Sequence, residues 1–507
     1  MPSSTRPLSR RSQTTAAVGA LLLAGALTTG ADVGGDADLQ YQRGADLYDD
    51  ARYDEALTAF AEAVETDDPA LALLARKGVV RAALRVAEFN QALDQADRLR
   101  SLAPDDHEAL TLHADALWSS GLFEEAERDY VESVDREPGS ARARFGMARS
   151  LAATGRLDEA LDVALAASAA APSDADIHAL IAEIHERRGE YRPAAVAYRR
   201  YVDLLPGQGR SDKVAWARAQ AEFLESFGDR TPFDMDEEDR QAVHTMPFRL
   251  VNGKVIIRGR INGSQTRDFV LDTGAEETVL SNRTARFASV RPETRTISAG
   301  VGVMGLQGLG LARIDSLSFG SLAIRHVPSL VKGRAVLDSP GGELDSFSPL
   351  ALGMSLRIDY ERRELTMARA LPPTPADIRL PMRVHRLALV RGLLNTDRPA
   401  PFVVDTGGEV ISISTSTASA LPASPFRRVS VNVWGLGGRD PDAFLLPGVD
   451  LAFDRIELRN HTLVVLNLRA PSMLLGFQIG GIVGHAFLAP YRVTMDLARS
   501  ELLLERY

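Results

Sequence analysis

The segment FVLDTGAEETVLS, from Phe269 to Ser281, returns as FVVDTGGEVISIS, from Phe402 to Ser414. One Asp-Thr-Gly would mean little, since ordinary residue usage places it somewhere in a chain this long with odds of roughly one in ten. Asp and Gly also favour any tight turn. The agreement runs well beyond the triplet. RGRING (Arg258 to Gly263) matches RGLLNT (Arg391 to Thr396), and Asn262 precedes Asp272 by the same interval as Asn395 precedes Asp405. Downstream, IDYERREL (Ile358 to Leu365) matches MDLARSEL (Met495 to Leu502). The C-terminal half is a duplicated unit of about 130 residues, with one carboxylate at the same place in each copy.

Alternating stretches in this half favour strands, among them KVIIRGRI (Lys254 to Ile261), LARIDSLSF (Leu311 to Phe319) and RIELRNHTLVVLNL (Arg455 to Leu468). ALPPTPADIRLP (Ala370 to Pro381) separates the copies. Two closed, mostly antiparallel sheet lobes are expected, over 246–369 and 382–507, with 370–381 as linker.

The first half has a different period. Ala92, Ala126, Ala160 and Ala194 recur every 34 residues, each preceded by Phe89, Phe123, Leu157 or Tyr191 and followed by Pro104, Pro138, Pro172 or Pro206. Gly121, Gly155 and Gly189 precede the last three alanines, and an earlier copy centres on Ala56. Small residues let two helices approach, glycine turns the chain and proline ends the second helix. The pattern resembles a tetratricopeptide array of five repeats over 38–228, with Ser211 to Gly228 as a capping helix. Such an array implies a concave surface for a protein partner. The acidic stretch 229–245 reads as a hinge or loop. His178 and His185 share a helical face but read as packing or solvent-exposed residues, not as metal ligands.

Each C-terminal copy resembles a retropepsin-type aspartic protease domain of the bacterial kind. The elements are Asp-Thr-Gly after a buried strand, a Gly-rich flap, and a late aliphatic-aliphatic-Gly strand leading to an Asp-containing hairpin. Such domains act only in pairs, and this chain looks like the single-chain arrangement. The fold implied is multidomain: an all-α tetratricopeptide solenoid followed by an all-β, bilobed acid-protease-like unit. The resemblance makes Asp272 and Asp405 the catalytic pair. Two adjacent carboxylates cannot both ionise, so they share a proton and together activate a water. Thr273 and Thr406 would lock the two loops, while Gly274 and Gly407 let them approach without a Cβ clash. GVGVMGLQGLG (Gly300 to Gly310) and WGLGGRD (Trp434 to Asp440) fall where flaps belong, which puts Gly305, Gly308, Gly435 and Gly437 over the substrate. The Gly300, Gly302, Gly305 spacing is that of a dinucleotide loop, but a strand pattern follows it where a helix should open.

Two places depart from the pattern. GIVGHAFL (Gly481 to Leu488) carries the late strand with its glycine, Gly484. In the first copy Ser348, within DSFSPLAL (Asp345 to Leu352), stands where that glycine would be. The residues after the triplets are Ala275 and Gly408, neither of which offers the hydroxyl that would lower a neighbouring carboxyl. The reading is an aspartic endopeptidase acting on protein or peptide, without cofactor or metal, with the array docking a partner or substrate. A non-catalytic, protease-like peptide-binding scaffold is the alternative. Each half, helical or sheet, is expected to have its own core.

Other classes find no support. Net charge is −10, which argues against a general nucleic-acid binder, since such a protein would show a basic face. The absence of cysteine excludes disulfides, thiolate zinc sites and thiol nucleophiles. There is no G-x-S-x-G and no H-E-x-x-H, and His326, His385, His461 and His485 lack ligand spacing. Arg6, Arg10 and Arg11 precede the short apolar run Thr14 to Ala31, the pattern of a secretory signal over 1–31. An exported, periplasmic or extracellular protein follows, with an uncleaved N-terminal membrane anchor as the alternative. N-terminal sequencing of exported material should find Asp32 at or near the start; an intact Ala16 to Ala31 stretch would indicate the anchor.

Overall fold

The computed structural model describes residues 33–205, 212–299, 306–332, 344–422, 428–435 and 438–507. The 1–31 segment and the flap glycines Gly305 and Gly437 lie outside them.

The first part is a stack of helical hairpins. These are α1 (Val33–Asp49) with α2 (Tyr53–Ala63), α3 (Pro69–Arg85) with α4 (Phe89–Leu102), and α5 (His107–Ser119) with α6 (Phe123–Arg136). Then come α7 (Ala141–Ala153) with α8 (Leu157–Ala170) and α9 (Ala175–Arg187) with α10 (Tyr191–Leu204), closed by α11 (Asp212–Ser226). The period-34 alanines are all fully buried, which is why no larger residue stands there. Gly121, Gly155 and Gly189 turn each hairpin with φ of 79°, 77° and 74°, a left-handed conformation that glycine adopts without strain. The first helix of a hairpin starts on a side-chain cap: Asp106 accepts from the Glu108 and Ala109 N–H groups, Ser140 from Ala143 and Asp174 from Asp176.

First helices of successive hairpins stack, α3 on α5, α5 on α7 and α7 on α9. Charged side chains bridge this inner layer. Arg85 of α3 reaches Asp176 of α9 at 2.9 Å, and Arg142 spans Asp115 (2.7 Å) and Asp176 (3.0 Å). Tyr130 donates to Asp115 at 2.6 Å. The first part of the inner face is therefore tied together by the array's own ions.

The two lobes repeat one sheet topology. In the first, strand Arg267–Leu271 lies between Lys254–Ile261 and the parallel strand Asp345–Phe347. The sheet continues through Thr278–Leu280, Leu322–Val331, Leu306–Phe319 and Pro292–Ala299, and closes where Lys254–Ile261 pairs with Leu306–Phe319. In the second, Arg398–Val404 lies between Leu387–Leu394 and the parallel strand Gly481–Val483. That sheet runs on through Ile411–Ser414, Ile456–Leu466 and Phe444–Phe453, and closes on Leu387–Leu394.

A sheet between the lobes joins them. Its order is His244–Pro247, Glu364–Ala368, Ser355–Asp359, Tyr491–Asp496, Glu501–Arg506, Ile378–His385. At its middle Leu356 faces Met495, Arg357 faces Thr494 and Ile358 faces Val493. Arg357 and Thr494 are matching positions of the duplication, so the pseudo-two-fold axis passes between them.

Two sequence expectations need correction. The 229–245 stretch is docked and does not behave as a free hinge. Asp234 exchanges backbone hydrogen bonds with Arg325, whose guanidinium also binds Asp234 (2.8 Å) and Asp236 (2.9 Å). Met235 enters the first lobe's core and Glu237–Gln241 form the short α12. The acidity that reads as a solvated linker is answered by Arg325. Likewise the end of 370–381 is strand, with Ile378 and Leu380 buried.

Each half has a core of its own, and further clusters join the two. Trp118 and Phe123 of the array form one cluster with Leu387, Leu389, Val403 and Phe477 of the second lobe. Phe123 and Phe477 meet edge to face at 5.8 Å. Gly121 abuts Pro401 so closely that a Cβ would sit 2.2 Å from its ring. Gln478 donates its backbone N–H to the Ser119 carbonyl at 2.7 Å, and Arg383 grips Glu127 with two bonds of 3.1 Å. On the other side Leu311 and Leu330 of the first lobe pack into the core of the last hairpins. A Met246–Tyr507 fragment should therefore bind a hydrophobic dye and melt well below the full chain. Trp118→Ala should cost about 3–5 kcal/mol in denaturant unfolding.

Candidate active site

Asp272 and Asp405 each follow a buried strand and are placed by that strand's parallel neighbour. The Asp272 N–H donates to the Phe347 carbonyl at 3.0 Å and the Asp405 N–H to the Val483 carbonyl at 3.0 Å. The loops then cross the pseudo-axis. The Thr273 hydroxyl donates to the Val404 carbonyl (2.6 Å) and accepts from the Thr406 N–H (3.1 Å). The Thr406 hydroxyl donates to the Leu271 carbonyl (2.7 Å) and accepts from the Thr273 N–H (3.1 Å). Both threonines are almost wholly buried, so each hydroxyl is used as donor and acceptor away from water.

The crossing brings the carboxyls side by side, so that a Cβ on Gly407 would meet both, Asp272 Oδ1 at 2.8 Å and Asp405 Oδ1 at 3.2 Å. A Cβ on Gly274 would lie 2.5 Å from the Asp405 carboxyl carbon. Only glycine fits at either place. Each carboxylate also accepts from its own loop, Asp272 from the Gly274 N–H (3.1 Å) and Asp405 from the Gly407 N–H (2.8 Å).

Ser348 stands opposite Gly484 in the duplication, since Phe347 and Val483 hold the matching pairing positions. In the second lobe the Gly408 carbonyl accepts from the His485 N–H at 2.9 Å. In the first, the equivalent Ala275 carbonyl accepts from the Ser348 hydroxyl at 2.6 Å. A side chain does for one loop what the backbone does for the other.

Burial pushes both carboxyls up, and the neighbouring Asp405 charge raises Asp272 further. The Gly274 N–H, the Lys254 ammonium and the Ser346 hydroxyl pull Asp272 back, while the Gly407 and Gly408 N–H groups and Lys254 do so for Asp405. No hydroxyl follows the triplets, but Ser346 supplies one to Asp272 from the neighbouring strand. Two cross-lobe ion pairs flank the carboxyls, Arg386 with Glu276 at 2.5 Å and Lys254 with Glu409 at 3.8 Å. Sequence reasoning missed them. The signal was present, since Glu276 and Glu409 occupy the same place after each Asp.

A cavity of about 1220 Å³ holds both aspartates, Ser346, Lys254 and Gly435. Helices α9, α10 and α11 contribute Glu183, Glu186, Tyr198, Trp216 and Gln220 to its wall. Gly308 is not at the cavity: it sits within a strand, opposite Ile297. Gly435 pairs with Gly438 in a short hairpin. Among the described residues no group of His, Cys, Asp or Glu is placed to hold a metal, and no helix is long and apolar enough to cross a membrane.

Two duplicated sheet lobes that meet at crossed Asp-Thr-Gly loops, with a helical-hairpin array before them, define a tetratricopeptide protein with a bilobed aspartic-protease fold. Comparisons agree. Residues 80–141 and 117–184 match tetratricopeptide repeat models. Residues 257–342 match a family described as "gag-polyprotein putative aspartyl protease", and 390–485 match "Aspartyl protease". The chain carries tetratricopeptide repeats followed by two aspartyl-protease domains. Among solved structures, a thermophilic TPR protein of Thermus thermophilus is 21% identical, covering 34% of this chain and 92% of its own, with a TM-score of 0.30. YrrB, a TPR protein with an unusual peptide-binding site, is 19% identical over 35% of this chain and 90% of its own, with a TM-score of 0.24. No curated protein matches.

Ser346 and Lys254 both favour the ionised form, so removing either raises the pair's apparent pKa values. Ser346→Ala and Lys254→Met should each move both limbs of a bell-shaped kcat/KM profile to higher pH, by about half a unit to one unit. A profile that stays in place in both variants would show that neither group acts on the pair.

Proposed function

We propose that the protein is an aspartic endopeptidase that hydrolyses peptide bonds with a water held between Asp272 and Asp405. The single observation that carries this reading is the close approach of the two carboxyls, across glycines that leave no room for any side chain. A scaffold that used Asp-Thr-Gly only as a turn would not need the loops so close.

The chemistry follows from the pair. With one proton between them, one carboxylate takes a proton from the water while the other carboxyl donates to the peptide carbonyl. Burial raises both carboxyls, and the two titrate as a pair that holds one proton. Water adds to the carbonyl carbon as the ionised carboxylate takes its proton, the protonated carboxyl gives its own to the carbonyl oxygen, and collapse of the tetrahedral intermediate returns a proton to the leaving amine. The locked threonines hold both carboxyls in place, so little reorganisation is needed as charge moves. The substrate is a protein or peptide, and the signal-like N-terminus supports action outside the cytoplasm.

Asp272→Asn and Asp405→Asn should each reduce cleavage of an unstructured protein by at least about a thousandfold, with an unchanged melting profile. Near-normal turnover in either variant would leave the peptide-binding scaffold as the better reading.

A further inference from the structure

The carboxyls of Glu183 and Glu186, on α9, face the same cavity as the aspartates, and so does Glu277 from the loop after Asp272. Their partners do not balance them. Glu186 accepts from the Tyr198 hydroxyl (3.0 Å) and the Gln220 amide (2.6 Å), both neutral. Glu277 keeps one buried carboxylate oxygen without a hydrogen-bond partner. Among the described residues none of the three forms an ion pair. Two arginines act on the group from a distance: Arg386, which binds Glu276 and lies over the Trp216 ring at 5.1 Å, pulls all three carboxyls down, and Arg187, which donates to the Ala152 carbonyl at 2.7 Å, pulls Glu183 down, so that with Glu276 four carboxyls share two guanidiniums. His385 is held neutral by burial and the arginines around it. Burial pushes Glu186 up to about 7, and burial with the neighbouring Glu186 and Glu276 pushes Glu277 up to about 8. These are carboxyls short of a positive charge, in a space that opens onto the aspartates.

We propose that the helical array completes the peptide cleft, and that Glu183 and Glu186, with Glu277, form a subsite for a lysine or arginine side chain of the bound peptide. The proposal rests on the peptide-cleft reading above. An ammonium or guanidinium brings the missing charge, with donors for the carboxylate oxygens at the cavity wall. Trp216 belongs to the same wall, and its ring suits the long alkyl stem of either residue. A neutral side chain of equal length fills the space but leaves the carboxyls uncompensated. An acidic one adds a further negative charge.

The test uses the full chain with Asp272→Asn, which stops turnover and leaves the subsite intact. Peptides that differ only by lysine or norleucine, moved through each position, are titrated calorimetrically at neutral pH. At one position lysine should bind about tenfold tighter. The Glu183→Gln, Glu186→Gln double variant should bring the ratio close to one. Glu186→Gln alone, which keeps the Tyr198 and Gln220 contacts, gives the same reading by a smaller drop if the double variant folds poorly. Equal binding of lysine and norleucine at every position, no binding of either, or a preference that survives in both variants would each overturn the subsite. A lysine preference in a chain whose unmutated form cleaves no peptide would keep the subsite and defeat the endopeptidase reading.

Discussion

The crossed threonine hydrogen bonds are what everything else in the C-terminal half serves. Thr273 and Thr406 bind each other's backbone and the last carbonyl of the opposite strand, so neither loop has its shape alone. The Asp-bearing strands must be buried, the parallel strands must sit beside them, and the sheet between the lobes must set their distance. Loss of one hydroxyl would orphan two buried groups at once, each of which costs about 1–3 kcal/mol when unsatisfied. That cooperative demand explains why the motif is kept in full in both copies while the surroundings have drifted.

The drift is visible wherever the lobes solve one problem by different means. Ser348 replaces a backbone donor with a hydroxyl, and Ser346 stands where the second lobe has Ile482. The duplication made Asp272, Asp405 and their loops legible in the sequence, because matched spacing reports matched geometry. The helical array was legible for the same reason: a repeat that keeps its alanines every 34 residues has only one way to pack. Ser346 was not legible, since its value comes from a strand pairing that no local pattern records. Gly308 lies on a strand of the hairpin whose Ile297 borders the cavity, and glycine content alone does not separate a hairpin's tip from its strands. The docking of the 229–245 loop was not legible, because acidic composition does not name its partner, Arg325.

The least legible feature was the union of the halves. Each shows its own periodicity, and nothing in either period reports the Trp118 cluster or Gly121 against Pro401. Contacts between distant segments are made by shape, and the residues concerned look like ordinary core residues of their own repeat. The array is consequently more than an appendage: Arg85 and Arg142 tie its inner layer to Asp176 of α9, the helix that carries Glu183 and Glu186 to the cavity.

The asymmetry of that arrangement has a consequence for direction. A cleft built from two identical subunits presents the same surface to a chain entering from either end, so it has no sense of peptide polarity. Here the exact two-fold relation ends at the loops. Ser346 marks one aspartate, and the helical wall reaches the cavity with carboxyls that have no counterpart across the axis. The two sides of the pseudo-axis therefore present different chemistry to the cavity. The duplication supplied a symmetric pair of carboxyls, and the helices added later in the structure's logic, though earlier in the chain, turn it into a vector.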